Sequence, residues 1–169
     1  MIKNAIELAL KTWYPPDHPL HNNPHHPLGK LLGEWGELLD EYMKLLYKPN
    51  YESTFIDELG DIWYYIRILS YQQDCGPQVF KMVKEYSPDK LIVMAIQMAC
   101  LSFEALQPGR NEVPYVQSAL DTSYTVLLLL LDKFGITLDE LTERNWQKLQ
   151  PRSVRGEEWA KARKENDDF

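Results

Sequence analysis

The chain has 169 residues, 44% hydrophobic and 12% aromatic, enough for one well-packed domain over 1–169 and too few for two typical ones. A net charge of −7 and a pI near 5.1 exclude a sequence-independent grip on DNA or RNA, which needs a basic surface. No apolar run approaches a membrane span, residues 1–16 are amphipathic rather than a signal peptide, and Cys75 and Cys100 lack metal-ligand spacing; reduced, buried thiols in a soluble cytoplasmic protein are the expectation.

Met1 to Trp13 reads as a short helix with Ile2, Ala5, Ile6, Leu8, Ala9 and Leu10 on its apolar side, stopped before Pro15 and Pro16. Residues 14–28 carry five prolines and all four histidines and read as a loop. A Pro-rich loop does not preset ligand spacing, so His18, His21, His25 and His26 are not taken as a metal cluster.

The next stretch, Gly33 to Tyr65, organises the chain. At about 100° per residue, Leu31, Trp35, Leu38, Leu39, Tyr42, Leu45 and Leu46 form one apolar arc, with Glu34, Glu37 and Glu41 along its edge. After a turn around Lys48 to Ser53, a second arc follows from Phe55, Ile56, Leu59, Ile62, Trp63, Ile66 and Leu69, edged by Glu58, Asp61 and Tyr65. Ser53 or Thr54 is the expected cap of this helix. So short a turn makes the pair antiparallel. Counting outward from it sets Glu41 level with Glu58 and Glu37 level with Asp61.

Downstream, the spacing predicts a turn at Gly76-Pro77, a short helix, and a turn at Ser87-Pro88. An apolar helix then runs from Asp89 to Leu106, and another from about Pro114 to Phe134, stopped at Gly135. Thr137 with Glu140 forms a capping box for a last helix reaching Leu149, ended by Pro151; Arg152 to Phe169 is a charged tail containing Trp159. No strand pattern occurs. The fold class is therefore all-α, an antiparallel bundle.

A shift of 61 to 63 residues lays 91–106 under roughly 29–44, with Glu34, Glu37 and Glu41 at a shift of 63, and 115–135 under 54–74. The shapes match but the acids do not: Glu34, Glu37, Glu58 and Asp61 fall over Gln97, Cys100, Ala119 and Thr122, and only Glu41 keeps a counterpart, Glu104. The second hairpin reads either as a degenerate copy of the first, closing a four-helix core within one chain around one metal site, or as chance likeness between amphipathic helices.

Carboxylates crowded at an apolar edge repel one another and lose hydration, a conflict that a divalent cation removes. An all-oxygen ligand set without His or Cys favours Mg²⁺, with Mn²⁺ as the substitute, over Zn²⁺. Mg²⁺ commonly keeps room for substrate phosphates, so a phosphate anhydride or ester is the natural ligand. The plain alternative is a solvated helix edge neutralised by Lys30, Lys44 and Lys48.

Glu34-x-x-Glu37 within GEWGEL, then Glu58-x-x-Asp61 within DELGDIWYY, with Asn145, Lys148 and Arg152 in FGITLDELTERNWQKLQPR, resembles the MazG-like all-α nucleoside triphosphate pyrophosphohydrolases. The likeness covers 33–65 and roughly 127–152, not the middle. It implies Glu34, Glu37, Glu58 and Asp61 as metal ligands, and Asn145, Lys148 and Arg152 as substrate contacts, with Lys148 and Arg152 on the pyrophosphate oxygens. Tyr65 is placed on the phosphates by its position on the acidic strip. Glu41, one turn beyond Glu37, stays open as ligand, partner of the ligands or base; Glu37 and Glu41 are the candidate catalytic bases. Trp13, Tyr14 or a loop histidine would stack on the base.

The implied reaction is hydrolysis of a nucleoside triphosphate, a deoxynucleotide first of all, to monophosphate and pyrophosphate. Another phosphorylated nucleotide as substrate, or a non-catalytic helical module binding a nucleotide or a partner helix, are the alternatives. Relatives assemble as dimers or tetramers, so a homodimer or homotetramer stays open beside the single chain.

Overall fold

The computed structural model describes residues 2–81, 85–106 and 113–150. Within them the chain is helical and without strands: α1 (Ile2–Leu10), α2 (His25–Tyr47), a 3₁₀ turn (Pro49–Tyr51), α3 (Glu52–Gln72), α4 (Pro88–Ala105), α5 (Val113–Phe134) and α6 (138–150). None of the helices is long and apolar enough to cross a membrane.

Two hairpins make the four-helix core. In the first, α2 lies on α3; in the second, α4 lies on α5; α2 also packs on α4 and α3 on α5. Leu31, Trp35 and Leu38 from α2, Phe55, Leu59, Ile62 and Ile66 from α3, Leu91, Ile92 and Ala95 from α4, and Val116, Leu120 and Leu127 from α5 are sealed inside. The hairpins are joined by polar atoms as well. Trp35 Nε1 donates to Ser123 Oγ at 3.1 Å, and the Trp63 ring stacks on Tyr124 at 5.8 Å. Each indole thus buries its ring and satisfies its N–H.

α3 carries the first difference from the amphipathic pattern. Besides its expected arc, Tyr64, Arg67, Ile68 and Ser70 are buried. The reason is a second layer: Ala9 of α1 and Leu149 of α6 pack with Tyr64 and Ile68 on the far side of the helix. On α2 the arc narrows at its last turn, where Leu45 is half-buried and Leu46 is 57% exposed.

Other departures are local. α1 stops at Leu10, three residues earlier than its periodicity suggests, and Thr12 Oγ1 closes its end on the Ala9 carbonyl at 3.0 Å. α2 begins inside the expected loop, at His25, because Pro27 sits in its first turn, where no backbone donor is required. The Asn23 side chain accepts the His25 N–H at 3.0 Å. α3 begins at Glu52, running on from the 3₁₀ turn, and neither Ser53 nor Thr54 caps it.

No helix forms over 75–81; residues 82–84, over which the expected short helix would continue, lie outside the described residues. The segment instead runs along α5. Gln78 N donates to Asp121 Oδ1 at 2.7 Å, Phe80 N to Thr125 Oγ1 at 3.3 Å, and Gln117 Nε2 to the Gly76 carbonyl at 3.3 Å. Residues 117, 121 and 125 recur every four positions on one helical face, so side chains satisfy a backbone that a helix would have satisfied itself. Cys75 donates to Gln117 Oε1 at 2.7 Å, and Cys75 and Cys100 are free and half-buried rather than buried.

α6 begins as expected. Gly135 takes φ +66°, a conformation that glycine adopts without a Cβ clash. Thr137 N donates to Glu140 Oε2 at 2.8 Å, and Glu140 N to Thr137 Oγ1 at 3.2 Å, a reciprocal cap. The helix then docks on α3. Trp63 Nε1 donates to Thr142 Oγ1 at 2.8 Å, and Arg144 reaches Asp57 at 2.7 Å and the Ser53 hydroxyl at 2.6 Å. Gly60 lets it come close: a Cβ there would stand 3.2 Å from Asn145.

Candidate metal centre

Glu34 and Glu37 lie one turn apart on α2, and Glu58 projects from the facing turn of α3. One oxygen from each lies within 4.8 Å of the other two. Glu34 and Glu58 are half-buried and Glu37 is exposed, so the triple opens to solvent on one side. Glu37, expected level with Asp61, thus converges with Glu58.

Electrostatically the triple is under-compensated. The Glu34 carboxyl is pushed up to about 7, by burial first and then by Asp61, Glu37 and Glu58, with Lys148 acting in the opposite direction. Glu58 is raised too, by burial and then by Asp61; Lys148 again opposes this, and Glu37 and Glu41 add to it. Among the described residues no lysine or arginine forms an ion pair with Glu34, Glu37 or Glu58. Lys44 takes Asp40 at 2.7 Å and Glu41 at 2.6 Å, further along α2. The solvated-edge alternative therefore accounts for Asp40 and Glu41 and leaves the triple unneutralised. Hard oxygen donors, convergent and short of positive charge, fit Mg²⁺ or Mn²⁺.

Asp61 is adjacent but differently engaged. Lys148 Nζ donates to its Oδ2 at 2.5 Å and Asn145 Nδ2 to its Oδ1 at 3.2 Å. α6 thus supplies both partners: Lys148 and Asn145, expected to contact substrate, here hold an acid. Arg152 lies outside the described residues. Glu41 keeps Oε1 on Lys44, while its Oε2 is buried without a hydrogen bond.

Tyr65 connects the acids to an aromatic cluster. Burial first, and then the charge of Glu34, hold its phenol well above the ordinary range, with Tyr64, Asp61 and Tyr14 adding to the effect. Trp13 centres the cluster, its ring 5.0 Å from Tyr14, 5.7 Å from His26, 6.4 Å from Tyr64 and 6.5 Å from Tyr65. His18 stacks on Tyr14 at 4.3 Å. The Pro-rich segment is fixed by buried His21, whose Nδ1 donates to the Tyr14 carbonyl at 2.6 Å, while its own carbonyl accepts Trp13 Nε1 at 3.2 Å and Gln72 Nε2 at 2.5 Å. His21 thus anchors the loop, and His18 and His26 lie against its aromatic rings.

Two residues close to the site carry no motif. Arg144 was legible as an i−4 neighbour of Lys148 on one helix face. Arg67 stood between Ile66 and Ile68, a lone cation in an apolar run, and that was its only signal.

No family model, curated protein or solved structure matches the chain.

Proposed function

We propose that this chain is a Mg²⁺-dependent nucleoside triphosphate pyrophosphohydrolase of the MazG-like kind that its motifs resemble, releasing pyrophosphate and a nucleoside monophosphate, with deoxynucleotides as the first class to test. The observation that carries the reading is the convergence of Glu34, Glu37 and Glu58 oxygens to within 4.8 Å, with the Lys148 ammonium one carboxylate away on Asp61. Divalent and side-chain cations together suit pyrophosphate oxygens.

Glu34, Glu37 and Glu58 would hold the ion, with Asp61 completing the ring. A Mg²⁺ held there would supply neutralising charge for the leaving pyrophosphate and added acidity for the attacking water. Lys148 would exchange Asp61 for a phosphate oxygen. The Tyr65 hydroxyl, kept protonated by its surroundings, is a donor to the phosphates. Glu37, exposed to solvent, is the better-placed acceptor for the water's proton, because the Glu41 carboxylate is tied to Lys44. Trp13, Tyr14 and His26 form an aromatic wall beside Tyr65 suited to a nucleobase. A cytoplasmic nucleotide pool is the setting such a reaction implies.

The test is pyrophosphate release from a panel of deoxynucleoside and ribonucleoside triphosphates in Mg²⁺, with Glu37→Gln alongside. Metal-dependent release that the substitution lowers at least a hundredfold supports the reading. Tight nucleotide binding with no turnover by the wild-type chain overturns it in favour of a binding module.

A further inference from the structure

Arg67 is 1% exposed and six residues beyond Asp61 on α3. Its guanidinium lies 5.4 Å from the Trp63 ring and 5.9 Å from the Tyr64 ring. Nε donates to the Trp63 carbonyl at 3.3 Å, and Nη2 donates to Asn145 Oδ1 at 2.6 Å. Asn145 is 2% exposed, and its Nδ2 donates to Asp61 Oδ1 at 3.2 Å. A chain of three side chains therefore runs from the inside of the bundle to the acidic site.

The direction of that chain is fixed by chemistry. A guanidinium has donors only, so it can face only the oxygen of the Asn145 carboxamide. The NH₂ group is then forced toward Asp61, and an ionised carboxylate is the group that accepts it. Gly60 brings α6 close enough for the link, since a Cβ there would crowd the Asn145 side chain. Without Arg67 the carboxamide oxygen loses its donor, and the single bond to Asp61 is left to orient the Asn145 side chain.

We propose that Arg67 is a positioning residue for the metal centre: by fixing the polarity of Asn145 it keeps Asp61 held from α6 when Lys148 leaves Asp61 for a phosphate. The inference rests on the metal-site reading of Glu34, Glu37, Glu58 and Asp61. Arg67→Met leaves the buried Asn145 oxygen without its donor, which lowers stability. The residue's role at the site is therefore read from metal affinity, and its structural share from the melt.

The test titrates Mn²⁺ into the full chain, counts free ion by electron paramagnetic resonance, and follows folding by thermal melting. Arg67→Met is expected to melt cooperatively and to raise the Mn²⁺ dissociation constant about tenfold, the usual effect of losing a group that orients a ligand. Arg67→Lys restores part of the affinity. Adding Asn145→Ala to Arg67→Met costs nothing further, since both act through one link. Should Arg67→Met not fold, Arg67→Lys decides: binding at least threefold weaker supports the role, and unchanged binding overturns it. A folded Arg67→Met with wild-type affinity, or two additive substitutions, overturns the inference alone. Failure of the wild-type chain to bind Mn²⁺ overturns the metal-site reading and this inference with it.

Discussion

Lys148 Nζ stands 2.5 Å from Asp61 Oδ2, and this contact makes α6 part of the acidic site rather than a cover for the bundle. The ammonium favours the ionised forms of Glu34 and Glu58 as well. Lys148→Met should leave the fold intact, since its side chain is 29% exposed. Pyrophosphate release should fall about a hundredfold, the scale of losing one preorganised contact to developing charge. Steady-state kinetics beside a urea titration separates the two effects.

Acidity should govern the metal-free protein in an unusual direction. Glu34 rises from an ordinary 4.5 to about 7 on folding, so between those values the folded state binds more protons than the unfolded one. Stability is then full below pH 4.5 and falls as pH rises through 7. Calorimetric scans in chelator from pH 4.5 to 8 should show this decline. Glu34→Gln should flatten it, leaving the variant more stable than wild type at pH 8 without metal.

Metal addition should reverse that order. At a hundred times its dissociation constant, an ion bound only by the folded chain adds about 2.7 kcal/mol. Melting temperature at pH 8 should therefore climb with Mg²⁺ in the wild type and stay level in Glu37→Gln. A rise of equal size in both proteins would place the ion elsewhere.

Trp13 touches Tyr14, His26, Tyr64 and Tyr65 at once. If its ring forms the base wall, Trp13→Ala should raise KM tenfold or more, since stacking contributes about 1–3 kcal/mol per base. The change in kcat should be small, because in the proposed mechanism the phosphates would be held by the metal ion and Lys148, not by Trp13. A drop in kcat with constant KM argues against a base contact.

Two glycines should respond oppositely. Gly36 has no atom within 4 Å of a Cβ position, so Gly36→Ala should stabilise the chain by up to about 1 kcal/mol through helix propensity. At Gly60 a Cβ meets Asn145 at 3.2 Å, and the two further methyl groups of valine would push α6 from α3. Gly60→Val should lower the urea midpoint and weaken Mn²⁺ binding together.

Periodicity and local chemistry were enough for the helices over most of their lengths, for the acids of α2 and α3 on one edge, and for the reciprocal Thr137–Glu140 cap. Which acids meet depends on how the helices pack. Glu37 converges with Glu58, while Asp61 turns to Asn145 and Lys148. The choice depends on the rotation of α2 against α3 and on α6 docking at Gly60, a relation between residues more than eighty positions apart that no local spacing records. Arg67 was hidden for the same reason. A charge inside an apolar run is out of place on a two-sided helix, and it becomes intelligible only once α1 and α6 cover the other face of α3 and Asn145 arrives to accept its hydrogen bond.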